Sequence, residues 1–154
     1  MNDTAHSTAG DMAEFIKMLF AGGRAPNGQR ILRESTLREM WTVQNRDVPL
    51  DMGLKMGLGY FLTYPDMRDI PAAGHGGDLP PFHAALFLLP GHKLGAIVLT
   101  NSQSSSGIMG EIAAEVLKAD LETKTGITVG PPDEPAPLAG RRPVGLARYA
   151  GLDA

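Results

Sequence analysis

The sequence has 154 residues, of which 43% are hydrophobic and 20% charged, as is typical of a globular domain with its own core. Its net charge of −3 and the lack of any basic stripe argue against a nucleic-acid partner. It contains no cysteine, which excludes disulfides, thiolate chemistry and cysteine-ligated zinc. The longest apolar runs are too short to span a bilayer, and the opening "MNDTAHSTAG" lacks the pattern of a signal peptide.

The first part of the chain has the apolar spacing of two helices. Residues 7–21 predict a helix that begins at a capping Thr8 and ends at Gly22-Gly23. Residues 34–44, "ESTLREMWTVQ", predict a second, shorter helix that is capped near Ser35. Both helices have one apolar side, so both are expected to pack against a core.

The middle of the chain changes to the pattern of strands. Residues 56–64 predict one strand, and residues 68–77 predict a short strand that ends at "GHGG". Residues 82–90 and 93–102 predict two more, joined by a hairpin at Pro90–Lys93. Because the last two are apolar at nearly every position, we expect them to be central strands with both faces covered.

A third helix is predicted over residues 107–121, after a polar run at 102–106 that is expected to cap it. Its expected contact with the sheet is an apolar stripe. The stripe consists of Ile108, Ile112, Val116 and Leu117. The order of elements predicts an α+β fold, in which an antiparallel sheet is packed with helices.

The composition changes after residue 122. The segment 130–143 contains five prolines in fourteen residues, so residues 123–143 are predicted to be a linker. Residues 144–154 are interpreted as the start of a further domain or as a disordered tail.

The ordered segments resemble the C-terminal part of the serine β-lactamase and penicillin-binding-protein-like superfamily. Within it, the chain is most similar to the branch of class C β-lactamases, class VIII esterases and D-aminopeptidases. The resemblance covers residues 5–121 and rests on "STAGDMAEFIKMLFAGG", "RILRESTLREM", "GLGYFL", "GHGG" and "HAALFLLPGHKLGAIVLTNS" in that order. It implies that residues 1–122 are the C-terminal section of a β-lactamase-like domain.

One stretch matches a catalytic motif of that family. His75-Gly76-Gly77 fits the family's His-x-Gly motif, and the resemblance implies that His75 projects a proton donor or cation into the cleft. Gly77 would let substrate lie against the strand, and the backbone N–H of Asp78 would donate to the oxyanion of the acyl-transfer intermediate. Gly76 and Leu79 are the implied substrate-binding residues.

Two motifs of the family are absent from the sequence. No serine has lysine at the fourth position of a Ser-x-x-Lys motif, and there is no Tyr-x-Asn. In the family both lie earlier in the chain. The literal Lys-Thr-Gly at residues 124–126 follows the predicted third helix and is interpreted as the end of that helix.

The sequence is therefore interpreted as a fragment of a serine hydrolase that cleaves amide or ester bonds of small molecules through an acyl-enzyme. The fragment alone is expected to be inactive and to self-associate through uncovered apolar surface or sheet edges. The alternative is a non-catalytic module that binds a ligand or partner. The resemblance implies no cofactor, and leaves an exported and a cytoplasmic bacterial location both open.

Histidines also have structural interpretations. His75 could be a turn residue between flexible glycines, and His83, on a predicted strand, is expected to be structural. A metal site made of His75, Asp78 and His83 is disfavoured because their spacing follows no known ligand pattern.

Overall fold

A sheet of three antiparallel strands separates two helical layers in the computed structural model, which describes residues 6–46, 48, 53–63, 67–105 and 107–130. The sheet order is β1-β2-β3, so the predicted α+β class is confirmed. Most of the predicted linker and all of residues 144–154 lie outside the described residues. The elements are α1 (Ala9–Phe20), α2 (Glu34–Met40), β1 (Ala73–Leu79), β2 (Phe82–Leu89), β3 (Leu94–Thr100) and α3 (Met109–Thr125).

The ends of α1 follow the sequence closely. The Thr8 hydroxyl accepts a hydrogen bond from the backbone N–H of Asp11 at 3.1 Å, which confirms the predicted cap. Gly22 and Gly23 end the helix with φ values of 68° and 84°. A Cβ at Gly23 would lie 2.2 Å from the carbonyl oxygen of Leu32, so this position has to be glycine.

The caps of the other two helices differ from those predicted. In α2 the capping position is Arg33, one residue before the helix, and its side chain makes no capping hydrogen bond to a described residue. Ser35 therefore lies inside the first turn. In α3 the capping position is Ile108 rather than a serine, while the Ser105 hydroxyl donates to the Thr100 hydroxyl at 2.9 Å.

The predicted hairpin is confirmed. β2 and β3 pair from His83↔Thr100 to Leu89↔Leu94, and a short 3₁₀ turn at Pro90–His92 joins them. The prediction that both strands are central is wrong for β3, which lies at the edge of the described sheet. Its apolar sequence resembles a covered strand, yet Leu99 is 42% exposed because no described element packs over that end.

Residues 56–63 form no strand, contrary to the prediction. Gly59 adopts a φ of 75° and turns the chain back, so that Met56 and Phe61 form only an isolated bridge. Phe61 then bridges to Gly74 of β1. The segment therefore contacts the start of β1 without extending the sheet along it.

Each face of the sheet carries its own core cluster. On one face, residues of β2 such as Phe87 pack with Ala113 and Leu117 of α3, and all three are fully buried. On the other face, Leu88 packs with α1, α2 and the buried Tyr60. We name these the α3 face and the α1 face. No helix of the described chain is long and apolar enough to cross a membrane.

The stripe predicted to join α3 to the sheet is wrong in three of its four members. Leu117 is buried, but Ile108, Ile112 and Val116 are 48%, 45% and 46% exposed. α3 carries a second stripe with the same helical spacing, and this one faces the sheet. It consists of Met109, Ala113, Leu117 and Leu121.

Candidate functional site

His75 lies inside a strand rather than at its end. It is the third residue of β1, opposite Leu86 of β2, and its side chain is exposed. Its ring stacks on that of Phe61, with centroids 5.7 Å apart and planes inclined by 30°. Side chains alternate along a strand, so His75 projects from the α1 face, on the side opposite to Gly74 and Gly76.

The outer edge of β1 is open beyond Gly74. Gly74 exchanges two backbone hydrogen bonds with Phe61, at 2.8 and 2.9 Å, on the side away from β2. In an antiparallel strand every second residue directs its N–H and C=O to the same side. Gly76 and Asp78 therefore present their backbone groups to this open edge, where no described residue pairs with them.

Neither glycine of the motif is required by the fold. Both have a negative or extended φ, since they are not among the positive-φ glycines. A Cβ at Gly77 would meet no atom of a described residue within 4 Å, and one at Gly76 would make only an ordinary contact, 3.5 Å from the carbonyl oxygen of Ala84. Glycine costs stability in a strand, and it is typical of places where another molecule approaches the backbone closely.

Asp78 and His83 form a polar pair across the turn between β1 and β2. Asp78 lies directly opposite His83, and its Oδ1 contacts the Nδ1 of the His83 ring. The His83 side chain is 1% exposed and that of Asp78 is 66% exposed, so a buried ring holds an exposed carboxylate. The His83 Nε2 is buried and has no hydrogen-bond partner among the described residues.

The five proposed site residues are thus consecutive on β1, but they do not share a face. His75, Gly77 and Leu79 belong to the α1 face, whereas Gly76 and Asp78 belong to the α3 face. Leu79 is 44% exposed at the end of the strand, next to the Pro80-Pro81 turn. His75 is on the opposite face from the Asp78–His83 pair. Within the described ranges no three histidines or acidic residues are grouped as metal ligands would be.

The Asp78–His83 pair could have been read from the sequence. A two-residue turn at Pro80-Pro81 pairs Leu79 with Phe82, and the next pair outward is Asp78 with His83. The sequence signal for this contact is that the two polar residues lie the same number of positions before and after the turn. The expectation that His83 is structural did not include this contact.

Tyr60 is a core residue rather than a catalytic base. It is 6% exposed and meets Trp41 edge to face, with ring centroids 6.4 Å apart. Burial raises the pKa of the Tyr60 phenol above its ordinary value of 10.0, so the group stays neutral near pH 7.

Two surface depressions of the described residues lie away from the motif. One of about 470 Å³ is bounded by α1, α2 and the β2–β3 turn, and its lining includes Leu19, Trp41 and Lys93. The other is lined by described residues between Val43 and Val48 and by residues 53–55. Neither depression is lined by a residue of β1.

Comparison with known proteins gives the family of the chain and relatives of its fold. The sequence model described as "Beta-lactamase" matches residues 2–121. A curated relative, penicillin-binding protein 4 of Amycolatopsis lactamdurans, is 26% identical over 144 residues, which are 94% of this chain and 36% of the relative. The solved structure of the octameric penicillin-binding protein homologue from Pyrococcus abyssi superposes with a TM-score of 0.59 at 26% identity, over 77% of this chain and 26% of that one.

The chain thus spans about a third of the length of one relative and about a quarter of the other. The family match covers well over half of the chain, and the solved relative has the same α+β arrangement. The chain belongs to the beta-lactamase family, within the superfamily that also contains the penicillin-binding proteins.

Proposed function

We propose that this chain supplies the oxyanion strand of a serine hydrolase that cleaves amide or ester bonds of small molecules through an acyl-enzyme. β1 forms one wall of the cleft. The serine nucleophile and its activating lysine are contributed by polypeptide outside this sequence. The chain alone is inactive.

The observation that carries the proposal is the combination of an open strand edge with glycines that the fold does not need. The backbone N–H and C=O of Asp78 are directed to an edge with no described partner. Gly77, one residue earlier, leaves open space where a side chain would stand. A substrate amide or ester can therefore lie along this edge as an additional strand would.

Each residue then has a defined part. The Asp78 N–H donates to the oxygen that becomes negative in the tetrahedral intermediate, and the exposed His75 imidazole gives a proton or binds a substrate carboxylate. Gly77 provides clearance for the substrate. Gly76 presents backbone groups to it, and Leu79 offers an exposed apolar contact at the end of the strand.

The domain organisation that accompanies this function is also a proposal. The C-terminal section of the catalytic domain, predicted for residues 1–122, is proposed to continue to the end of α3. The rest of residues 123–143 is proposed as a linker, and residues 144–154 as a tail or the start of another domain. In the described structure α3 continues to Thr125, and Gly126 ends it with a φ of 75°. The Lys124-Thr125-Gly126 string therefore closes a helix and is not at the candidate site.

An assay with and without the missing segment tests the function. The substrates are nitrocefin and p-nitrophenyl butyrate. The chain alone should give no turnover, and a serine-bearing polypeptide, in which a family segment with Ser-x-x-Lys and Tyr-x-Asn precedes this chain, should hydrolyse at least one of them. In that polypeptide His75→Ala should lower kcat by about 10²–10⁴-fold, because a general acid or a charged substrate contact is removed.

The control is His92→Ala in the turn after β2, which should leave kcat unchanged. Robust turnover by the 154-residue chain would refute the requirement for an external nucleophile. If the serine-bearing polypeptide binds substrate without turnover, the chain is better described as a binding module of the same fold.

We also propose that the chain self-associates. The solved relative from Pyrococcus abyssi is described as octameric. Here Phe82 is 60% exposed, beside Leu79 and Leu99 on the same end of the α1 face, and such clustered apolar surface favours association. Light scattering between low and high micromolar concentrations should give a mass that rises above 16.4 kDa, and a constant monomer mass would contradict the proposal.

A further inference from the structure

We propose that His83 is a positioning residue, which holds the side chain of Asp78 and thereby fixes the direction of the Asp78 backbone N–H. The proposed function enters this role at one point only, because it assigns the Asp78 N–H as a donor to the oxyanion. The contact itself is a feature of the described structure.

Besides its pairing with β2, the stretch that precedes Asp78 has little to order it. Gly76 and Gly77 have no side chain to pack, and glycine is the residue with the most backbone freedom to lose. The outer edge of β1 has no described partner there. Asp78 is the first residue after the two glycines whose side chain can anchor the backbone.

The anchor is suitably rigid. The side chain of His83 is 1% exposed and lies on the α3 face, where the other β2 residues are apolar and tightly packed. It is the single polar residue among the four that β2 directs to that face, and it stands directly opposite Asp78. An apolar side chain would fill the same space but could not hold a carboxylate.

The contact also fixes the proton on the ring. The Nδ1–H of His83 donates to Asp78 Oδ1 in the tautomer that carries its proton on Nδ1. The buried Nε2 has no described partner, so the contact disfavours the tautomer that carries its only proton there. This arrangement avoids leaving an N–H donor unsatisfied in the interior. The tautomer is a spectroscopic signature of the proposed role.

The test uses variants of the exposed partner, so that the core is left intact. NMR on the ¹⁵N-labelled chain should show Nδ1-protonated His83, and an order parameter of about 0.85 for the Asp78 amide. In Asp78→Ala that order parameter should fall to about 0.6 or lower. Asp78→Asn, which keeps an acceptor oxygen, should restore it. Asp120→Ala, at an exposed position on α3, is the matched control and should change nothing at β1.

Two results would overturn the proposal. One is an Asp78 amide that stays equally ordered in Asp78→Ala, as a purely space-filling His83 predicts. The other is a wild-type His83 protonated at Nε2 alone. Neither readout needs turnover, so failure of the hydrolase assay would reject the proposed function and leave this positioning role standing.

Discussion

Replacing Gly77 with valine is expected to lower turnover of the serine-bearing polypeptide by at least about a hundredfold while leaving the chain folded. A Cβ at Gly77 meets no atom of the described part of the chain within 4 Å, so the described fold has room for the side chain. Valine also has a higher strand propensity than glycine, which adds up to about 1 kcal/mol of stability. Under the proposed function, the side chain would project from the α1 face beside the strand edge along which substrate lies.

The measurements are kcat/KM and the free energy of unfolding for the same variant. Gly91→Val is the matched control, because Gly91 lies in the β2–β3 turn and a Cβ there also meets nothing within 4 Å. It should leave turnover unchanged. A Gly77→Val variant that retains full activity would show that substrate does not lie along this edge. A variant that unfolds would show that the glycine is structural after all.

The sequence predicts the ends of helices and the turns correctly where a single residue type determines the local backbone conformation. The Thr8 cap and the Gly22-Gly23 end of α1 are of this kind, and so is the turn at Pro90–Lys93. Ser35 was assigned wrongly because several polar residues in a row can each begin a helix, and only the packing of α2 selects among them.

Which side of a helix or strand packs against the rest of the chain could not be predicted in the same way. α3 has two apolar stripes one residue apart, and the period alone does not tell which one meets the sheet. The structure selects the stripe with Ala113, whose small side chain allows close packing. Similarly, an apolar strand such as β3 looks covered on both faces whether or not its neighbours belong to the same chain.

The members of the candidate site stay a prediction, and its geometry required the structure. The sequence predicts a short strand that ends at the motif, whereas His75 lies inside β1. Which backbone groups face the open edge follows only from the pairing of Gly74 with Phe61, a contact between residues 13 positions apart. The contact of Asp78 with His83 likewise requires the register across the Pro80-Pro81 turn.

The largest loss of stability is expected for Phe87→Ala, which should lower the free energy of unfolding by about 3–5 kcal/mol. Phe87 is 0% exposed at the centre of β2 and belongs to the cluster between the sheet and α3. Its removal costs the transfer free energy of the ring and leaves a cavity that fixed neighbours cannot fill. That loss is a large fraction of the roughly 5–15 kcal/mol typical of a folded domain.

Urea denaturation followed by circular dichroism measures the effect, and the same strand offers the control. Phe82 is the first residue of β2 and is 60% exposed, so Phe82→Ala removes the same ring from a surface position. It should cost less than about 1 kcal/mol. The protein has to be dilute enough to be monomeric, since Phe82 belongs to the proposed association surface. Equal losses of unfolding free energy for the two variants would contradict the prediction. They would mean that packing on the α3 face is not the main source of stability for the sheet.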